Sequence, residues 1–82
     1  MKLKIKLFAG LREHVNKDSI SIDINKPSVR VKDVKAFMSE KYPEMKQLLK
    51  KTRAAVDSEF VDDNALLDKG REIALIPPVA GG

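Results

Sequence analysis

Eighty-two residues are enough for one small domain with a modest hydrophobic core. The absence of cysteine excludes a disulfide framework, a cysteine-ligated zinc site and a thiol nucleophile. The 16 basic residues are mixed with 12 acidic ones, and a net charge of +4 spread in this way is typical of a solvated surface rather than of a nucleic-acid-binding protein. Alternating charge at the start and the lack of a long apolar run predict a cytoplasmic protein without a signal peptide or a membrane span.

The first predicted element is a strand over residues 2–9. Leu3, Ile5 and Leu7 share one face of it, and lysines occupy the other. Phe8 falls on the lysine face, out of step with the core. A large aromatic side chain at such a position is either covered by a later element or kept for a partner, and the pattern leaves both open.

A turn of helix or a loose connection is predicted over residues 9–15, which contain the single histidine, His14. Because the sequence has no cysteine and no second histidine, we expect a surface or capping role for His14 rather than a metal site. Residues 19–24 alternate again, with isoleucine at every second position. They predict a second strand, antiparallel to the first.

The main helix is predicted over residues 29–41, where apolar side chains recur at spacings of three and four. Ser28 is the expected N-cap of this helix. Pro43 should end it and can begin a short second helix that includes Leu49. The apolar stripe, which we interpret as core, comprises Val31, Val34, Phe37, Met38 and Tyr42.

Two short apolar segments, residues 52–56 and 60–62, predict a hairpin around residues 57–59 that lacks the usual glycine. The loop that follows contains Leu66 and Leu67, and both side chains are expected to turn inward. The adjacent carboxylates of Asp62 and Asp63 are expected to belong to a solvated turn rather than to an acid/base pair.

The last strand is predicted over residues 72–76, after a turn in which Gly70 adopts a positive φ. Its unbroken apolar character favours a central strand with the first strand as its parallel neighbour. The order of elements predicts an α+β fold in which a mixed sheet of about five strands packs on one main helix and a flexible C-terminal arm follows. We therefore divide the chain into a domain, residues 1–76, and a tail, residues 77–82.

The tail contains two features with chemical meaning, a proline pair and a terminal glycine pair. Pro77 and Pro78 end the strand and favour an extended polyproline conformation, in which residues 78–82 would reach roughly 15 Å. Gly81 and Gly82 lack a Cβ and can pass through a narrow channel. A frayed end is the ordinary fate of terminal residues. The rigid base favours the other interpretation, an arm that presents the α-carboxylate of Gly82.

No constellation within the domain predicts catalysis. A lone His14 has no positioned nucleophile, and no glycine-rich loop before a helix could hold a nucleotide phosphate. We therefore expect a carrier that is acted on by partner enzymes and binds no cofactor itself.

The tail sequence Pro-Pro-Val-Ala-Gly-Gly resembles the small, sulfur-carrying subunits of molybdopterin synthase, which are ubiquitin-like β-grasp proteins of the MoaD/ThiS family. The segment Phe8–Glu13 is similar to the pattern Phe-Ala-x-x-Arg-Glu that follows the first strand of this family. The last turn and strand, from Leu67 to Ile76, are similar as well. Two places depart from the family pattern: Lys69 and Arg71 flank Gly70 where acidic residues are usual, and Asp57 stands where asparagine is common.

The resemblance implies a carrier cycle. An E1-like adenylating enzyme would activate the carboxylate of Gly82 with ATP and Mg, and sulfur would replace the adenylate to give a thiocarboxylate. The large subunit of molybdopterin synthase would then use this sulfur to build the dithiolene of molybdopterin. Gly81 would be a steric requirement. Neither a metal site nor a nucleic-acid or membrane partner is implied.

The resemblance also implies a set of partner-binding residues around the tail. The apolar positions that match the family's docking residues are Phe8, Phe60 and Ile76, together with Pro77, Pro78 and Val79 of the tail. Arg12 matches a residue that pairs with the activating enzyme. Two further functions use the same tail and remain open: a ubiquitin-like modifier joined to target lysines through Gly82, and a sulfur carrier for tRNA thiolation.

Overall fold

The computed structural model describes residues 1–68 and 70–78. Within them the chain forms seven strands and three α-helices, the last of which follows a 3-10 turn at Pro43–Met45. The strands are β1 (Lys2–Leu7), β2 (Ser19–Asp23), β3 (Val29–Arg30), β4 (Arg53–Val56), β5 (Glu59–Val61), β6 (Leu66–Leu67) and β7 (Glu72–Ile76). The helices are α1 (Ala9–Val15), α2 (Val31–Lys41) and α3 (Lys46–Lys50).

Five strands form one mixed sheet in the order β2-β1-β7-β4-β5. β7 lies in the middle, parallel to β1 and antiparallel to β4, and β2 is antiparallel to β1. Ile73 and Leu75 of β7 are fully buried, as expected of a strand covered on its core face. The predicted mixed sheet, with a central last strand and a parallel first strand, is confirmed.

The hydrophobic core lies between one face of this sheet and the helices. In β1 every second side chain is buried and the lysines between them are exposed, so the predicted alternation is confirmed. The α2 stripe packs against this face through Val31, Val34 and Met38, which are fully buried, while Phe37 and Tyr42 are half-buried at its margin. Burial of each such side chain contributes roughly 1.5–3 kcal/mol, so this layer fixes how the sheet is oriented on α2.

The start of α2 differs from the prediction. The helix begins at Val31 rather than at residue 29, and its N-cap residue is Arg30 rather than Ser28. The reason is long-range: Val29 and Arg30 are extended because they pair antiparallel with Leu67 and Leu66 in a separate two-stranded sheet. The first turn of the helix is stabilised by its own third residue, Asp33, whose carboxylate accepts a hydrogen bond from the backbone N–H of Arg30 at 2.8 Å.

Asp33 makes the stability of this helix start dependent on pH. The backbone hydrogen bond from Arg30, and next the hydrogen bond from Lys26 Nζ at 3.0 Å, hold the pKa of the Asp33 carboxyl below its ordinary value of 3.8. A pKa that is lower in the folded state adds stability above the ordinary value, and this stability is lost as the pH falls through the depressed pKa.

Replacing Asp33 with asparagine is therefore expected to lower the free energy of unfolding at neutral pH, and the difference from the wild type should shrink as the pH falls below 3.8. Urea unfolding followed by circular dichroism over a pH series measures this difference. Glu40→Gln is the matched control, because Glu40 lies on the same helix, is exposed and forms no ion pair with any residue of the described ranges. A constant difference between wild type and Asp33→Asn at every pH would contradict this role.

Only one of the two loop leucines turns inward. Leu67 is buried, but Leu66 is 60% exposed, so the prediction for Leu66 was wrong. Both residues belong to β6, and consecutive side chains of a strand point to opposite faces. Pairing with β3 therefore allows one leucine to reach the core and leaves the other in solvent.

The β4–β5 hairpin closes through the two residues Asp57 and Ser58, which have φ of 52° and 66°. Two successive positive φ values are characteristic of the tight type I′ turn, which the right-handed twist of the strands favours. Gly70 has a φ of 81°, as predicted. Arg71 forms an ion pair with Asp57 and approaches Asp68 with Nε 3.8 Å from Oδ2. Two positions that depart from the family pattern, Asp57 and Arg71, are thus in contact with each other.

Candidate functional site

The arm leaves the domain from the end of a central strand. In the parallel register Leu7 of β1 lies beside Leu75, and in the antiparallel register Arg53 of β4 lies beside Ile76. The end of β1 and the start of β4 therefore flank the last residue of β7. Pro77 is buried directly after Ile76, and Pro78 is exposed. The rest of the predicted tail, from Val79 to Gly82, lies outside the described residues.

The open face of the sheet carries an apolar patch at this point. Three residues of β7 and β4 that face away from the core are small or aliphatic, Ala74 and Ile76 on β7 and Ala55 on β4, while Glu72 and Arg53 on the same face are charged. Two aromatic rings border the three small or aliphatic residues, Phe8 from the end of β1 and Phe60 from β5. We call these five apolar residues the apolar patch. They line a shallow hollow of about 380 Å³ together with Lys6, Asp57, Ser58 and Glu72.

Each aromatic ring of the apolar patch has a cation over its face. The guanidinium carbon of Arg53 lies 3.8 Å from the centroid of the Phe60 ring, and Nζ of Lys6 lies 5.4 Å from the centroid of Phe8. Such contacts are attractive because the face of an aromatic ring is electronegative. Phe60 is nevertheless 53% exposed, and Phe8 is half-buried. The patch therefore presents aromatic surface to solvent next to the positive charges of Lys6 and Arg53.

The structure therefore brings together three of the residues predicted to bind a partner. Phe8, Phe60 and Ile76 come from separate parts of the chain and meet on one surface beside the start of the arm. Their role in binding stays a prediction. Arg12 does not join them: it lies on α1, is exposed, and lines a different hollow with its Nε 4.0 Å from the carboxylate of Asp18.

Sequence reasoning missed the other members of this surface. Ala55, Ala74, Lys6 and Arg53 carry no motif, and each is unremarkable in its own strand. The available signal was alternation, because residues two apart on a strand share a face. That signal identifies the outward residues of each strand, but it does not reveal which strands are neighbours.

His14 lies on the surface, as predicted. Its Nε2 is 2.7 Å from Oε1 of Glu44, so this pair connects α1 with the 3-10 turn, and its ring stands edge-on to Tyr42 with centroids 6.5 Å apart. The hydrogen bond with His14 is the main reason that the pKa of Glu44 is lowered. In residues 1–68 and 70–78 no cluster of three or more histidine, aspartate or glutamate side chains could hold a metal ion. No described helix is long and apolar enough to cross a membrane.

A mixed five-stranded sheet on one main helix, with a central last strand that leads into the arm, defines a ubiquitin-like β-grasp protein. The crystal structure of SAMP1, a small archaeal modifier protein from Haloferax volcanii, superposes with a TM-score of 0.82 over 100% of both chains. The sequences are 22% identical, so this likeness shows the fold alone.

Sequence comparison shows the family. The model of the ThiS family matches residues 5–82, and this chain belongs to that family, as the tail and the segment after the first strand predicted. The molybdopterin synthase sulfur carrier subunit of Dictyostelium discoideum is 34% identical over 83 residues, which cover 99% of this chain and 96% of that protein. A chain in the complex of subunits 1 and 2 of the molybdopterin-converting factor from Helicobacter pylori is 26% identical, with a TM-score of 0.68 over 100% of both chains.

Proposed function

We propose that this chain is a sulfur carrier protein, the small subunit of a molybdopterin synthase. The observation that carries the proposal is its match, over nearly the whole length of both chains, to a protein named as the sulfur carrier subunit of that enzyme. The arrangement of the site supports it. A buried proline anchors the arm at the end of a central strand, beside an apolar patch that a partner could cover.

The chemistry follows from the properties of a carboxylate. A carboxylate is a poor electrophile, so an E1-like partner would first use ATP and Mg to join the Gly82 carboxylate to AMP, with release of pyrophosphate. A sulfide equivalent would then attack the acyl carbon and expel AMP, which leaves a thiocarboxylate. This group is a nucleophilic sulfur donor, and the large subunit would use it to form the dithiolene of molybdopterin.

Each predicted site residue has a part in this proposal. Gly82 carries the reacting carboxyl group, and Gly81 allows the chain end to enter a narrow channel. The apolar patch, including Phe8, Phe60 and Ile76, docks on the large subunit and on the activating enzyme, and Pro77, Pro78 and Val79 add to the contact with these partners. Arg12 contacts the activating enzyme from α1, on a surface separate from the apolar patch.

Intact mass spectrometry tests the proposal directly. After incubation with its adenylating enzyme, ATP, Mg and a sulfide source, the chain is expected to gain the mass difference between one sulfur and one oxygen atom. The same mixture without ATP is the control. Covalent conjugates with lysines of other proteins, without a thiocarboxylate form, would replace this function by that of a ubiquitin-like modifier. Thiolation of tRNA, with no effect on molybdopterin formation, would assign the sulfur to the other acceptor.

A further inference from the structure

A second hollow adjoins the apolar patch at Phe60, and one of its sides is basic. It has a volume of about 820 Å³ and lies between the segment from Lys50 to Arg53 and the segment from Phe60 to Asn64. We call it the basic groove. Lys50, Lys51 and Arg53 form its basic side, and all three side chains are exposed. Phe60 belongs to both hollows, so the basic groove and the apolar patch are one continuous surface.

The charges in the basic groove do not cancel. Asp63 on the opposite side forms an ion pair with Lys35 at 2.9 Å, and Lys35 also donates to the carbonyl oxygen of Thr52 at 2.6 Å. Lys50, Lys51 and Arg53 form no ion pair with any carboxylate in residues 1–68 or 70–78. Three adjacent positive charges therefore remain available to a partner.

These charges lie where the arm begins. Arg53 is the register partner of Ile76, so the residues just before Arg53 run past the position where the chain leaves the sheet at Pro77. A protein that takes up the arm and covers the apolar patch must come close to this basic side. The stacked Phe60 ring also limits the rotation of the Arg53 guanidinium, which lowers the entropy that binding a carboxylate would cost.

We propose that the basic groove binds an acidic surface segment of the protein that receives the arm. The proposal deepens the function proposed above and rests on it for the identity of that protein. The positive side steers the partner toward the arm, and Arg53 binds one of its carboxylates through the planar fork of its guanidinium. Carboxylates of a folded partner can lie along the basic side alone, away from Asp62 and Asp63.

A nucleic acid fits this groove less well than an acidic protein segment. Its phosphates recur at every nucleotide, and in this hollow some of them would face Asp62 and Asp63. Proteins that bind single-stranded nucleic acids also offer exposed aromatic rings on which the bases stack. The aromatic ring that borders this groove, Phe60, is already covered on one face by Arg53.

The first experiment compares two variants of equal net charge. In one, Lys50, Lys51 and Arg53 are all replaced with glutamine. In the other, glutamine replaces Lys2, Lys17 and Lys41, three exposed lysines that line neither the basic groove nor the hollow of the apolar patch. Association with the large subunit of molybdopterin synthase from the same organism is followed by stopped-flow fluorescence at low and high salt.

The groove variant is expected to associate about tenfold more slowly than wild type at low salt and to lose most of its salt dependence, while the control stays within about twofold of wild type. Equal effects of the two variants would overturn the proposal and would assign the steering to net charge. If wild type forms no thiocarboxylate and does not bind the large subunit, the proposed function fails. The basic groove is then judged by the second experiment alone.

The second experiment needs no knowledge of the partner. A short glutamate-rich peptide and a single-stranded RNA of similar length are each titrated into the nitrogen-15-labelled chain, and amide shifts are recorded by NMR. The peptide is expected to move the amides of residues 50–53 and 60 in wild type but not in the groove variant. Shifts caused by the RNA alone, or peptide shifts that persist in the groove variant, would contradict binding of an acidic protein segment.

Discussion

Deletion of Gly81 and Gly82 is expected to abolish sulfur transfer and to leave the domain folded. The proposed reaction occurs at the carboxyl carbon of Gly82, and a chain that ends at Ala80 would present its carboxylate about two residues, roughly 6 Å, short of the partner's active site. Reacting atoms must approach within about 3–3.5 Å, so the remaining activity should equal that measured without the carrier. Molybdopterin formation in a reaction reconstituted with the large subunit measures the effect.

Stability serves as the internal control of this deletion. Among residues 1–68 and 70–78, all buried hydrophobic residues of the core lie between Leu3 and Leu75, so the free energy of unfolding should stay at the wild-type value. Gly70→Ala is the opposite control, because Gly70 has a φ of 81° and, apart from its two chain neighbours, no described residue has a heavy atom within 4 Å of the position that an added Cβ would occupy. It should cost roughly 1–2 kcal/mol of stability through backbone strain alone and should transfer sulfur normally while folded. Normal molybdopterin formation by the deleted chain would refute the carrier function.

Truncation of Phe60 to alanine is expected to weaken binding to the large subunit about 30-fold. Phe60 lies where the apolar patch meets the basic groove, and an exposed aromatic side chain near the centre of a binding surface is a typical hot spot. Its loss costs about 2 kcal/mol, which corresponds to this factor. Isothermal titration calorimetry measures the affinity. The side chain is 53% exposed in the free chain, so its removal should change folding stability little.

Leu66 offers a matched control for Phe60. It is the other large hydrophobic residue that is strongly exposed among the described residues, at 60%, but it lies on β6 and borders neither the apolar patch nor the basic groove. Leu66→Ala should change affinity by less than about twofold. Equal losses for the two variants would show that the partner does not use the apolar patch in preference to other exposed hydrophobic surface.

Much of the fold could be predicted because its pattern is local. The alternation of β1 and the stripe of α2 repeat with the periods of a strand and a helix, and both elements form where those periods occur. The predictions failed at Ser28 and Leu66, which lie in or beside strands of two residues. A strand this short has no period to detect, and it exists only because β3 and β6 pair with each other across the fold.

The residues of the candidate site also fall into those that the sequence predicts and those whose surroundings only the structure shows. Gly81 and Gly82 were predicted as site residues from the chain alone, because a proline pair before a terminal glycine pair favours an arm that presents a carboxylate, and their role stays a prediction. Phe8 was recognised as out of step with the core, but the alternation left open whether another element would cover it. The structure leaves it half-buried at the rim of the apolar patch, where Lys6 lies over its ring.

The sequence by itself determined the type and order of the main elements and supplied the prediction for the chemistry of the tail, because these depend on the residues themselves and on spacings of a few positions. Only the tertiary structure decided which side chains surround the start of the arm. Phe8, Arg53 and Phe60 are brought together with Ile76 by the registers of β1, β7, β4 and β5. Those registers are set by how the core faces of the strands pack together on α2, and no local pattern contains that information.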